Sequence, residues 1–260
     1  MKNLIYKIKN KIYRISNKAQ KIKRPSHQEL IDYKNFQRGN NNKFALSFGA
    51  GRCGQKWFAE IFNSHKNWIG TCERFSDYEA FYRYISYYKL PISKEGIFKI
   101  LELASNRDMA LHQNTFISSP FLSFGVEELV KKLNPNYLFF HIRDPIKAVE
   151  SLYRKGWYLN SYNFETIDAS IDISVSLHRT LSRITPGSEF IKKWTELTRI
   201  GKVTWFWATI NKAIYDDFNK IQNVDKFFIK LEDVDQNYNF YERLSNKFNF
   251  ENKMTKSEFY

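Results

Sequence analysis

Two cysteines, Cys53 and Cys72, among 260 residues exclude a disulfide scaffold and a cysteine-rich zinc domain. No run of about 18 apolar residues occurs, which excludes a spanning helix by the hydropathy criterion. No short apolar core with a small-residue cleavage site follows the N-terminus, so no secretory signal is expected. No internal repeat and no long low-complexity segment is present. What remains is globular: 43 % of residues are hydrophobic and 26 % charged. A chain of this length buries enough surface for one large core without covalent staples.

The charge is lopsided. The formal net charge is +14, and residues 1–24 contain nine Lys or Arg and no acid, which leaves about +5 for the rest. Leu4, Ile5, Ile8, Ile12 and Ile15 recur at helical spacing, so residues 1–25 read as a basic amphipathic helix ended by Pro25. Three uses fit it: packing on the body with a solvated basic face, lying on an anionic membrane surface, or serving as a nucleic-acid arm. No helix-turn-helix, zinc-finger or RNA-binding signature supports the last, and no nucleic acid is expected as partner. Residues 26–42 read as a polar connection, and 43–260 as a single domain.

Within that domain, apolar runs alternate with helical patterns. Strands are expected at Phe44–Phe48, Trp68–Cys72, Met109–His112, Tyr137–Ile142 and Phe227–Leu231. Helices are expected at Gln55–Asn63, residues 74–103, around Glu127–Leu133, over much of 165–220, and at 238–248. This order predicts an α/β fold in three α/β/α layers, with a central, mainly parallel sheet.

Two segments carry chemistry. Gly49-Ala50-Gly51-Arg52-Cys53-Gly54-Gln55-Lys56 lies between a strand and a helix, where backbone N–H groups and a helix N-terminus face an anion. Gly49 and Gly54 fit the nucleotide-triphosphatase spacing G-x-x-x-x-G-K-[ST]. The lysine, however, is displaced to position 56, and Trp57 stands where a hydroxyl would be needed to hold magnesium. The second segment is the strand Tyr137–Ile142 followed by Arg143-Asp144-Pro145 and, eight residues after the arginine, Ser151. An arginine leaving a strand end can grip a phosphate through its planar fork, and a serine two helical turns on adds a hydroxyl.

Arg52-Cys53-Gly54-Gln55-Lys56-Trp57 resembles the 5′-phosphosulfate loop of the sulfotransferases, [RK]-S-G-T-T-W, with Cys53, Gln55 and Lys56 as departures. Arg143-Asp144-Pro145 with Ser151 resembles that family's 3′-phosphate motif, about 90 residues downstream. Glu232-Asp233-Val234 after the last strand and Trp205–Tyr215 with Asn211 add weaker likenesses to bacterial and Golgi-type members. The resemblance implies a P-loop-like fold and a donor, 3′-phosphoadenosine-5′-phosphosulfate (PAPS), used without a metal. It implies donor contacts from Arg52, Cys53, Gly54, Gln55, Lys56, Trp57, Arg143 and Ser151.

The acceptor is then a hydroxyl or amine, with a carbohydrate or glycolipid expected. Localisation is expected to be cytoplasmic, with a possible peripheral contact on the inner membrane surface through residues 1–24. Transfer requires stabilisation of the leaving phosphate oxygen, a task that the resemblance gives to Arg52. It also requires a base for the acceptor proton. Glu73, 21 residues after Arg52, resembles the catalytic Glu of tyrosylprotein sulfotransferases. His112 resembles the catalytic His of cytosolic members, and imidazole as a class titrates near neutrality. Glu73 also reads as a structural ion-pair partner and His112 as a satisfied, partly buried histidine.

His65, His141 and His178 read as structural, and His27 is given no role. Both cysteines read as packing groups, with a redox switch as the weaker alternative. The aromatic stretch Phe75, Tyr78, Phe81, Tyr82, Tyr84, Tyr87 and Tyr88 reads as core before acceptor site. Two other functions compete: a small P-loop kinase, and a degenerate non-catalytic module of the same fold binding a membrane or polyanion through its basic N-terminus.

Overall fold

The computed structural model describes residues 25–159 and 181–260. Residues 1–24 and His178 therefore lie outside the described residues. Five strands form one sheet: β1 (Lys43–Gly49), β2 (Trp68–Cys72), β3 (Asn114–Ser118), β4 (Tyr137–Ile142) and β5 (Asp225–Lys230). Their order is β2-β3-β1-β4-β5, and every pairing is parallel. Between them run α1 (His27–Ile31), α2 (Gln55–Asn63), α3 (Ser76–Tyr87), α4 (Glu95–His112), α5 (Val126–Leu133), α6 (Pro145–Arg154), α7 (Ser188–Thr195) and α8 (Arg199–Lys220). After β5 come α9 (Leu231–Val234), α10 (Tyr238–Lys247) and α11 (Lys256–Phe259).

Alternation along the strands builds the three layers. Phe44, Leu46 and Phe48 of β1, with Leu138 and Phe140 of β4, pack on one side against α4, α5, α6 and α8. Ala45 and Phe139 face the other side, where Phe58 and Phe62 of α2 meet Trp68, Phe116, Tyr241 and Phe248. The sheet is thus covered on both faces, as the near-continuous apolar runs of β1 and β4 require.

The expected limits of α2, β2 and β4 agree with the structure. The third strand does not. Met109–His112 is the last turn of α4, and β3 begins at Asn114. The helix expected over 74–103 is two helices, broken between Tyr87 and Glu95. The aromatic stretch is mainly core. Phe75 and Tyr82 are buried, while Phe81, Tyr84, Tyr87 and Tyr88 pack half-buried against the larger cluster.

Candidate functional site

Adjacent strands β1 and β4 send their connections in opposite directions, β1 toward β2 and β4 toward β5. In a parallel sheet such a switch opens a crevice beyond the carboxyl ends of those strands. The register sets Gly49 of β1 opposite His141 of β4, so the glycine loop and Arg143 leave the sheet side by side.

The loop is shaped by backbone that side chains disfavour. Gly51 (φ 85°), Arg52 (φ 59°) and Gly54 (φ 85°) are all left-handed. A Cβ on Gly54 would stand 2.6 Å from Leu231 Cδ1 of α9, and one on Gly49 would stand 2.5 Å from Cys53 Sγ. Helix α2 starts at Gly54 with no side-chain cap and no acid in its first turn. Its leading N–H groups therefore lack an intrahelical partner, and the positive end of its dipole lies at the loop.

The two segments meet. Arg52 Nε donates to Ser151 Oγ at 2.9 Å, and Arg143 Nη1 donates to the Arg52 carbonyl at 3.0 Å. Asp144 caps α6 by accepting from the Lys147 N–H at 3.0 Å, with Pro145 as first helical residue. Glu232, at the start of α9, holds the Arg143-Asp144 segment. Its Oε2 accepts from the Asp144 N–H at 3.1 Å, and its Oε1 stands 3.8 Å from Arg143 Nε. Sequence reasoning saw Glu232 as part of a late motif but gave it no place in the site; its position directly after the last parallel strand was the available signal.

The other expected site residues divide. Cys53 and Gln55 turn their side chains inward. Cys53 Sγ donates to Gln55 Oε1 (3.4 Å), Gln55 Nε2 donates to Ser118 Oγ (3.2 Å), and Ser118 Oγ donates to Ser47 Oγ (3.0 Å). Their side chains are spent inside the fold, which leaves their main-chain N–H groups as what they can offer an anion. Burial pushes the Cys53 thiol up to about 12 and also raises Cys72, so neither offers a ready thiolate. Lys56 is exposed on the first turn of α2. Trp57 is half-buried, its ring 6.4 Å from Phe259 of α11.

Glu73 leaves β2 in a left-handed conformation (φ 54°), exposed at the same end of the sheet as the loop, its N–H donating to Ser118 O at 3.0 Å. His112 is at the other end. It closes α4 two residues before Asn114, which pairs with Lys43 at the start of β1. The seven residues of β1 span about 20 Å, which removes His112 from the loop. His65 and His141 are buried. His65 Nδ1 bonds to Glu251 O at 2.9 Å and its ring stacks 4.0 Å from Phe250.

Two buried charges on α3 went unread. Glu79 accepts from Ser119 Oγ at 2.7 Å and from the Phe75 N–H at 3.2 Å. Burial lifts its carboxyl to about 7, with Glu73 adding to the effect. Arg83 donates to Ser123 Oγ and Ser182 O at 3.2 Å each, and to Pro120 O, between the rings of Phe121 and Phe206. Burial brings it down to about 9. Both lie on the buried stripe of α3 with Ala80, Tyr82 and Ile85, so helical periodicity was the available signal.

Among the described residues no group of three or more His, Cys, Asp or Glu could hold a metal, and no helix is long and apolar enough to cross a membrane. A polar cleft of about 700 Å³, lined by Arg38, Lys43, Asn136 and Asp225 among others, opens at the amino ends of β1, β4 and β5, away from both motifs. No protein-family model matches the chain, and no curated protein matches it.

Proposed function

We propose that the chain is a sulfotransferase of P-loop-like fold that moves a sulfuryl group from PAPS to a hydroxyl or amine acceptor, with a carbohydrate or glycolipid as favoured class. One observation carries this reading: the Arg52–Ser151 and Arg143–Arg52 hydrogen bonds join two motif segments about 90 residues apart at the switch point, beyond the carboxyl ends of β1 and β4. In the proposed reaction the acceptor oxygen forms a bond to sulfur while the bond from sulfur to the 5′-phosphate oxygen breaks. Arg52 and the first N–H groups of α2 stabilise the charge on that leaving oxygen. Arg143 and Ser151 hold the 3′-phosphate. Glu73 takes the acceptor proton from the β2 side. A cytoplasmic location, with peripheral membrane contact through residues 1–24, is part of the proposal.

The test is thermal stabilisation by adenosine-3′,5′-bisphosphate, since a ligand that binds only the folded state raises the melting temperature. Wild type is expected to shift, and Arg143→Ala to lose most of the shift, equivalent to about 10- to 100-fold in affinity for a charge-assisted pair. An equal shift in the variant would overturn the site. In a radiolabelled transfer screen over polysaccharides, glycolipids and small alcohols, Glu73→Gln is expected to lose about 100-fold or more. His112→Ala is expected to stay within about twofold, being outside the crevice.

A second reading is favoured by the inward turn of Cys53 and Gln55, which removes side-chain contacts to a donor. In it the fold is retained without catalysis, and residues 1–24 bind a membrane or polyanion. Bisphosphate binding without transfer to any acceptor would select it.

A further inference from the structure

We infer that Glu79 is a proton-operated control on the anion crevice: bonded to the wall behind the glycine loop, it tolerates an anion there when protonated and opposes it when ionised. The inference rests on reading that crevice as an anion site, and its experiment separates the two.

The Glu79 side chain is 1 % exposed, and its two hydrogen-bond donors, the Phe75 N–H and the Ser119 hydroxyl, are both uncharged. The cations nearby bond elsewhere, although Arg74 still favours the ionised Glu79 carboxyl, the smallest of the influences on it. Arg74, in the turn between β2 and α3, forms two bonds to Asp108 of α4 at 3.1 and 2.8 Å. Arg83, one turn along α3, is held by Ser123, Pro120 and Ser182. The remaining ionisable groups that act on Glu79 from neighbouring elements are Glu73 after β2 and the buried Cys72 thiol at its end. Glu73 opposes a second negative charge, as does burial.

Glu79 also has a structural path to the loop. Ser119, which its carboxyl holds, ties the exits of β3 and β1 together, its N–H donating to Ser47 O at 3.1 Å. The next residue, Pro120, puts its Cβ 3.7 Å from where a Gly51 side chain would begin. The carboxyl is therefore bonded to the wall against which Gly51 turns. Burial, which lifts the carboxyl to about 7, brings its change of charge close to neutral pH. In a dry interior that charge is weakly screened.

Sulfate is the probe, because it keeps its charge between about pH 6 and about pH 8.5. Calorimetric titration of the full chain is expected to show sulfate affinity falling about three- to tenfold over that range at low salt. By reciprocity, sulfate binding near pH 7 should take up a fraction of a proton, seen as a dependence of the heat on buffer ionisation enthalpy. Glu79→Gln, which keeps the shape and removes the charge, should flatten the affinity profile and abolish proton uptake. Ser119→Ala keeps the carboxyl but removes a donor that favours its ionised form, so the fall should move to higher pH. PH-independent sulfate binding by wild type, or an unchanged slope in Glu79→Gln, overturns the inference. Absence of sulfate binding at every pH overturns the anion-site reading itself and the inference with it.

Discussion

Gly70→Ala is expected to cost more than about 4 kcal/mol, enough to leave much of the population unfolded at temperatures the parent withstands. Gly70 is the middle residue of β2, and α2 lies directly upon it. A Cβ there would stand 1.9 Å from the carbonyl oxygen of Ala59, 2.8 Å from its carbonyl carbon and 3.0 Å from the Asn63 nitrogen. All three are helix backbone, so no rotamer change relieves the clash. Overpacking of side chains in a core costs about 1–3 kcal/mol because neighbours can turn aside; backbone cannot. The helix would have to lift away from β2, and with it the stacking of Phe62 on Phe116 (ring centroids 4.3 Å apart). Since α2 begins at Gly54, the glycine loop would move too. Gly96→Ala is the control. Gly96 lies near the start of α4 with nothing within 4 Å of a new Cβ, so alanine there should stabilise by about 0.5–1 kcal/mol through helix propensity. Urea midpoints compare the three proteins. A Gly70→Ala midpoint within experimental error of the parent would show that the seating of α2 on β2 is not tight.

Why some elements could be read from the sequence and others could not comes down to where their partners lie. Strand β4, Tyr137–Ile142, announces itself because five of its six residues are apolar or aromatic and Arg143-Asp144-Pro145 supplies its end and the following helix cap. Strand β3, Asn-Thr-Phe-Ile-Ser, does not, because three of its five buried residues are polar. Each is satisfied only by tertiary structure. Asn114 accepts from the Lys43 N–H and donates to Asn67 O, Thr115 donates to Asp108, and Ser118 to Ser47. No local pattern carries that information, so the apolar Met109–Leu111 drew the strand assignment, and His112 went with it to the wrong end of the sheet. Arg52, Arg143 and Ser151 were legible as a group because their motifs sit at strand–helix junctions, which fix position locally. The inward turn of Gln55 was not, since its partner Ser118 is 63 residues away. Glu232 and Glu79 show the same limit: a carboxylate's role depends on what the fold sets against it.

Those buried groups give a second large effect, in the dependence of stability on pH. His141 lies beneath the loop with its ring 4.8 Å from Phe58 and its Nε2 buried without a partner. Burial drives its pKa from 6.5 down to about 3. The unfolded chain therefore binds a proton that the native state refuses, and His141 contributes stability that is full above about pH 6.5 and is lost as pH falls toward 3, on the order of 5 kcal/mol in all. Glu79 has the opposite sign. Its carboxyl is raised from 4.5 to about 7, so the native state holds a proton that the unfolded chain releases. Its contribution is full below about 4.5 and is lost as pH rises toward 7, on the order of 3 kcal/mol. Between about 4.5 and 6.5 the two slopes offset each other, and the difference between variants isolates each from the remaining carboxylates. In urea titrations at fixed salt, Glu79→Gln should lose stability steadily as pH falls below 6.5. His141→Leu, which removes a nitrogen with no partner, should instead gain stability from pH 7 to 4.5 and escape much of the loss below it. Parallel curves for His141→Leu and the parent between pH 6.5 and 3 would mean that the histidine is reached by water in the native state.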